Sequence, residues 1–188
     1  MIPIATSRFN NETWEQNCAY RIKSHHKGCV YGAPLQISSK VPSQQLVFIV
    51  EMNNSTNKIE GIGLVRNMYQ SDKYHKVYPN GNYNRYVYKS DYRLDRDVLE
   101  RYNSQLVQNL EYILFKEKTH MKRGSGLTLI PEKLLKHKIC ENKNLTQEIK
   151  VIFQKYYGKV ATENEELKIE NCEKSTDSQN NSIVENEN

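Results

Sequence analysis

The longest apolar run, Leu46-Val47-Phe48-Ile49-Val50-Glu51-Met52, predicts a buried strand. Asn53-Asn54-Ser55-Thr56-Asn57 follows as turn chemistry, because Asn tolerates positive φ and bonds locally to backbone. Lys58-Ile59-Glu60-Gly61-Ile62-Gly63-Leu64-Val65-Arg66 then reads as the returning strand, so the two segments form a hairpin. Gly61 and Gly63 strip one face of that strand. In strands such glycines mark a bulge, a barrel bend or a close approach by ligand or backbone, and the bend is the expected use. Val30-Tyr31-Gly32-Ala33-Pro34 predicts a short strand running into a turn. After the turn Pro79-Asn80-Gly81-Asn82, residues 83–94 read as a strand in which Tyr86, Tyr88 and Ser90 alternate against Arg85, Val87 and Lys89. Leu127-Thr128-Leu129-Ile130 predicts one more short strand.

A helical period appears in three places. Asn11-Glu12-Thr13 offers a cap before Trp14, and Trp14, Cys18 and Ile22 share a helical face until His25-His26-Lys27-Gly28 stops it. Val98, Tyr102, Leu106, Leu110, Ile113 and Leu114 recur at spacings of three and four, which predicts a helix over residues 98–118 capped by Asp95 or Asp97. Pro131 can open a short helix through Lys136. Thr146 can cap a last one over residues 147–157, with Ile149, Ile152 and Phe153 inward and Gly158 at its end. The sum is an α+β chain: a small twisted sheet, read as a partly closed β-barrel, with three or four peripheral helices.

Composition divides the 188 residues into an expected domain over 1–160 and an acidic tail over 161–188. Residues 163–188 carry eight acids against Lys168 and Lys174, a net of −6, which leaves +11 for residues 1–162 out of the whole-chain +5. The tail has too little apolar surface to offset its ordering entropy, so disorder is expected there. A body this basic attracts polyanions through phosphate contacts. No run approaches the length of a membrane span. Met1-Ile2-Pro3-Ile4-Ala5-Thr6 lacks the pattern of a secretory signal, so the expected place is intracellular, cytoplasmic or nuclear, and not secreted. In that reducing setting Cys18, Cys29, Cys140 and Cys172 read as free thiols.

Residues 69–93 hold seven of the thirteen tyrosines. Lys73, His75, Lys76, Arg85, Lys89 and Arg93 lie between them, opposed only by Asp72 and Asp91. Bases stack on aromatic rings while cations hold phosphates, so the pattern suits flexible nucleic acid. It also suits a sheet that shows hydroxyls to water. Tyr83, Tyr86 and Tyr88 are the candidate stacking rings, and Lys73, Lys76, Arg85 and Lys89 the candidate phosphate ligands. His120-Met121-Lys122-Arg123-Gly124-Ser125-Gly126 is a second candidate: His120, Lys122 and Arg123 supply cationic groups, and the glycines let backbone N–H groups approach an anion. It lacks the Gly-Lys-Ser/Thr ending of a nucleotide-hydrolysing loop. Cys18, His25, His26 and Cys29 match no closed zinc module, and no metal or other cofactor is expected.

Trp14, the only tryptophan, can wall a base pocket with Tyr20, Tyr31 and Met52 beside it, while Asn17, Asn53 and Asn54 read a base edge. The succession of a Trp-bearing segment, Val47-Phe48-Ile49-Val50, the glycine-bearing strand from Ile59 to Val65, and Gly126 before a short strand and helix resembles the PUA-like superfamily, in particular its EVE and YTH branches. The resemblance covers roughly residues 1–140 and rests on short motifs. It departs from YTH in lacking that branch's set of tryptophans, and from EVE in the Tyr-rich insertion around residues 69–84. The resemblance implies a small β-barrel with a pocket for a flipped, sometimes modified, nucleobase. The Asn- and Lys-rich style is also similar to proteins of large DNA viruses, a bias of AT-rich coding that carries no mechanism.

The expected function is non-catalytic binding of single-stranded or flipped-out bases, RNA ahead of DNA, with Trp14, Asn17, Tyr31 and Asn53 lining the base pocket. Two alternatives stand beside it. One is a metal-dependent nucleic-acid-processing enzyme that uses Asp91, Asp95, Asp97 and His120. The other is a protein–protein adaptor that uses the tyrosines.

Overall fold

Strand β1 (Ile4–Phe9) lies inside the main sheet, although Thr6, Ser7 and Arg8 interrupt its apolar pattern. The computed structural model describes residues 1–116, 118 and 120–158; the expected tail over 161–188 and Cys172 lie outside the described residues. After β1 come α1 (Asn11–Lys23), β2 (Cys29–Ala33), β3 (Leu46–Asn53) and β4 (Lys58–Arg66). β5 (Tyr86–Ser90), β6 (Arg93–Asp95) and α2 (Arg96–Glu111) follow, and α2 runs on as a wider turn over Tyr112–Lys116. β7 (Thr128–Leu129), α3 (Glu132–Leu135) and α4, residues 145–158, complete the order.

The main sheet has the order β6-β4-β3-β1-β7, with β6 and β7 as its edges. β1 and β3 run parallel, while the other neighbouring pairs are antiparallel. A parallel pair needs a long crossover. Here it is α1, β2 and the segment up to Leu46. β2 pairs with β5 as a separate two-stranded ribbon. The fold is thus α+β with a mixed sheet, and the expected β3–β4 hairpin is present with a register shift at Glu51/Met52.

The expected strand over residues 83–94 is broken into a 3-10 turn (Gly81–Asn84), β5 and β6. β5 does not alternate as read, because Val87 and Tyr88 are both buried. The expected helix over 98–118 is interrupted at Asn103, whose backbone is extended (φ −161°). Its Oδ1 accepts from Leu106 N–H at 3.0 Å and so recaps the helix beyond the break. Asn10, not residues 11–13, caps α1 in a capping box with Thr13, and Asn144 rather than Thr146 receives the N–H of Gln147. Asp95 stands at the N-cap of α2 without a side-chain cap bond. On α1 the buried residue is Asn17, and Ile22 is 76% exposed, which overturns the expected Trp14–Cys18–Ile22 face.

Gly61 and Gly63 make room for a charged group in the core. A Cβ on Gly63 would fall 2.2 Å from Tyr31 Oη, and one on Gly61 would fall 2.5 Å from Leu94 O and 2.9 Å from Glu51 Oε2. This close approach is one use of both glycines, and beside Gly61 the register also skips Glu60, a bulge in β4. Two compact units are present, Met1–Glu148 and one beginning at Ile149. The described part of the second is the rest of α4, where the Phe153 and Tyr157 rings stack at 6.0 Å.

Candidate nucleic-acid interface

β1 and β3 are parallel, so their carboxyl ends lie side by side and the turns that leave them converge. A cavity of about 250 Å³ opens there. Ser7, Arg8 and Phe9 come from β1, Asn10 and Thr13 from the start of α1, and Asn54 from the β3–β4 turn. Tyr78 and Tyr83 form an aromatic wall, and Gly32, Gly124 and Gly126 contribute backbone. Crevices at the carboxyl ends of parallel strands are common ligand sites, because loops rather than paired backbone define them.

Arg8 holds the glycine loop in place. Its Nε donates to Gly124 O (3.2 Å), Nη1 to Thr6 Oγ1 (3.2 Å) and Met121 O (3.4 Å), and Nη2 to Gly126 O (3.1 Å) and Thr128 Oγ1 (2.7 Å). Each guanidinium donor thus has a protein acceptor. Burial lowers the Arg8 pKa from its ordinary value, yet the group stays cationic at neutral pH and sets a fixed positive charge in the cleft wall. Gly124 (φ +105°) and Gly126 (φ +70°) take left-handed backbone to turn their carbonyls toward it. Asn54 ties the loop from the other side, its Nδ2 donating to Lys122 O at 2.9 Å. Asn54 Oδ1 is sealed from solvent and has no partner among the described residues.

The tyrosine wall is positioned by asparagines. Asn84 Oδ1 accepts from Val77 N–H (3.0 Å) and Tyr78 N–H (2.9 Å), while its Nδ2 donates to Tyr78 O (2.7 Å) and Tyr74 Oη (3.2 Å). Asn17 Nδ2 bonds Tyr78 Oη at 3.1 Å and Val30 O at 2.7 Å. The Tyr78 and Tyr83 rings meet edge to face at 6.2 Å. Burial raises the Tyr78 pKa, so its hydroxyl is neutral. Tyr83 is 39% exposed and keeps ring surface for a ligand.

The expected residues fall into three groups. Lys73, Lys76, Arg85 and Arg123 are exposed, Lys122, Lys89 and His120 are half-buried, and Tyr83 lines the cleft. Tyr86 is half-buried, with Tyr69 against it at 5.1 Å and the Arg85 guanidinium over its ring. Tyr88 cannot stack on a base, because it is sealed in the core and its oxygen accepts from Ile37 N–H at 3.0 Å.

The expected base pocket does not form. Tyr31 is fully buried and donates to Glu51 Oε1 at 2.7 Å. Asn17 is spent on Val30 and Tyr78. Asn53 Nδ2 donates to Glu60 Oε1 (2.8 Å) and Asn11 Oδ1 (3.2 Å), and its Oδ1 accepts from Ser55 N–H. Trp14 lies half-buried against Phe9, with Arg21 and Arg93 over its ring at 5.5 and 5.6 Å. It lines a different depression, with Glu60, Asp95, Arg96, Asp97, Val98 and Arg101. Of the base-edge readers named from the sequence, Asn54 lines the cleft. Nothing in the sequence pattern singles out Phe9 or Asn84, and Tyr78 stands out there only as part of the tyrosine run. An arginine inside a strand-forming segment was the one available signal for Arg8.

Two of the acids proposed for metal chemistry take structural partners: Asp95 pairs with Arg93, and Asp91 lies 3.7 Å from His26 Nδ1. At Asp97 it is the backbone carbonyl that receives Arg101 Nε. His120 Nδ1 accepts from Lys122 N–H. Among the described residues no group of three or more His, Cys, Asp or Glu stands together to hold a metal ion. No helix among them is long and apolar enough to cross a membrane. Cys18, Cys29 and Cys140 are free thiols. No protein-family model, curated protein or solved structure matches the chain.

Proposed function

We propose that the protein binds single-stranded or flipped-out nucleic acid, RNA ahead of DNA, without catalysing a reaction, and that one base enters the cleft at the ends of β1 and β3. The observation that carries the reading is the cleft itself: aromatic walls from Phe9, Tyr78 and Tyr83 stand beside a glycine loop bearing Lys122 and Arg123. The cavity is large enough for one base, and the Tyr83 ring, 39% exposed, offers it a stacking face. Lys122, Arg123, Lys73, Lys76 and Arg85 hold phosphates around it. A PUA-like kinship with barrel-type closure is part of this proposal, supported by the glycine-bearing β4 beside β3 and by the late strand–helix pair β7–α3.

Replacing Lys122 and Arg123 together by Ala weakens binding to every oligonucleotide and lowers the slope of log K against log salt by about 1.4, two single-strand phosphate contacts. An unchanged slope removes the loop from the interface. The adaptor reading draws on Tyr74 and Tyr92, which are 67% and 51% exposed, and on Met68 at 47%. Binding to a protein that is insensitive to salt would favour it.

A further inference from the structure

The far end of α1 is basic in its own right. From Gln16 to Gly28 the chain has Arg21, Lys23 and Lys27, with His25 and His26 between them, and no acid. Cys18, Arg21, Ile22, His25, His26 and Lys27 line a cavity of about 480 Å³ there, larger than the cleft. Arg21 is turned inward: Nη1 reaches Gly28 O (3.4 Å), Nη2 reaches Cys18 Sγ (3.3 Å), and Nε is buried without a partner among the described residues. Lys23, His25 and Lys27 are exposed, and Ile22 places an apolar surface among them. Asp91 lies against His26 and Asp72 against His75, and α1 itself carries the exposed Glu12 and Glu15 in its first half.

The helix end keeps a histidine where glycine would be easier. His25 N–H bonds Ile22 O and His26 N–H bonds Arg21 O, which closes the Schellman pattern with His25 left-handed at φ 51°. A glycine would adopt this conformation without strain.

Two links join this end to the cleft. Thr13, in the first turn of α1, lines the cleft, and Lys23 closes the last turn about 15 Å further along at 1.5 Å per residue. Between them Tyr20 Oη bonds His75 Nδ1 at 3.0 Å, which lays the segment with Lys73, Tyr74 and Lys76 against the helix. Tyr74 in turn receives Asn84, the residue that positions Tyr78 in the cleft wall.

We infer that the polynucleotide does not end at the cleft but continues along α1, over Lys73, Tyr74 and Lys76, to a second phosphate-holding end at Lys23, His25 and Lys27. This rests on the nucleic-acid reading of the cleft and extends it to a partner several nucleotides long.

The test compares the full chain with the variant Lys23→Ala, His25→Gly, Lys27→Ala. All three positions are exposed, and His25→Gly relaxes a strained backbone, so the fold is retained; a thermal melt checks it. Fluorescence anisotropy is read with single-stranded oligonucleotides of about 4 and about 12 nucleotides. The expected result is an unchanged affinity for the short probe, at least a tenfold loss for the long one, and a shallower salt slope for the long one only. Equal affinities of both proteins for the long probe overturn the track while the cleft reading stands. Failure of the unaltered protein to bind either probe at low salt overturns the track together with the reading beneath it.

Discussion

Tyr31 donates its hydroxyl to Glu51 Oε1 at 2.7 Å while Arg93 grips the same carboxylate through Nε and Nη2, all inside the core. The Glu51 and Arg93 side chains are 2% and 4% exposed. Burial alone would lower the Arg93 pKa; the Glu51 carboxylate overrides it and raises it. Burial pushes the Tyr31 hydroxyl well above its ordinary range, so it remains the donor. A buried pair of this kind costs little when intact and much when halved.

Arg93→Met therefore destabilises the protein by about 3–5 kcal/mol in urea denaturation, because Glu51 is left charged and buried. Tyr31→Phe costs about 1–3 kcal/mol. The double change Glu51→Leu with Arg93→Met recovers most of the loss. If the double variant is as unstable as Arg93→Met alone, the stranded-charge account is wrong.

Gly63→Ala drives a methyl into Tyr31 Oη and Cys29 Sγ, 2.2 and 2.7 Å away, and Gly61→Ala meets Leu94 O at 2.5 Å. Each is expected to lower stability by about 1–3 kcal/mol or more. Gly81→Ala, whose nearest neighbour would be Tyr74 Oη at 3.6 Å, changes it by less than about 0.5 kcal/mol. Equal melting of the three variants would contradict the close-approach role of the two strand glycines.

The hairpin, β2, β7 and α3 were legible because continuous apolar runs and Asn, Gly or Pro punctuation act locally. β1 was not, since Thr6, Ser7 and Arg8 look like a polar start until neighbouring strands on both sides bury Thr6 and Ser7 and half-bury Arg8. Tyr88 reads as a surface stacking ring and Tyr31 as the wall of a base pocket, because a phenol suits both water and a base. Only the tertiary fold supplies the Ile37 amide and the Glu51 carboxylate that satisfy them inside. Of the candidate site, the glycine loop was visible as a motif and Asn54 as a base-edge reader. The cleft was not, because Arg8, Tyr78 and Gly124 lie far apart in sequence and meet only when β1 and β3 run parallel.

Burial and the nearby Glu51 raise the Cys29 thiol from 9.0 to about 12. A folded value above the unfolded one favours the protonated, folded form. This stabilisation is complete below pH 9 and fades as pH rises toward 12. Peptide-resolved alkylation at neutral pH should label Cys18 before Cys29, and urea midpoints should fall in that alkaline window. Rapid native labelling of Cys29 would count against its place in the core.

Arg8→Lys keeps the charge but loses the planar fork that reaches Gly124 O, Gly126 O and Thr128 Oγ1. Amides of residues 121–128 should exchange faster by mass spectrometry, and oligonucleotide affinity should drop about tenfold. Unaltered exchange in that segment would show that the loop does not depend on Arg8.

The base-in-cleft claim stands most directly on Tyr83, whose ring is accessible and whose loss leaves the Asn84 scaffold in place. Fluorescence anisotropy at low salt should show Tyr83→Ala weakening single-stranded RNA by about 1–3 kcal/mol, with no further loss when the central base is removed from the probe. Equal affinity of the two proteins for the intact probe, or no complex with either, would contradict it.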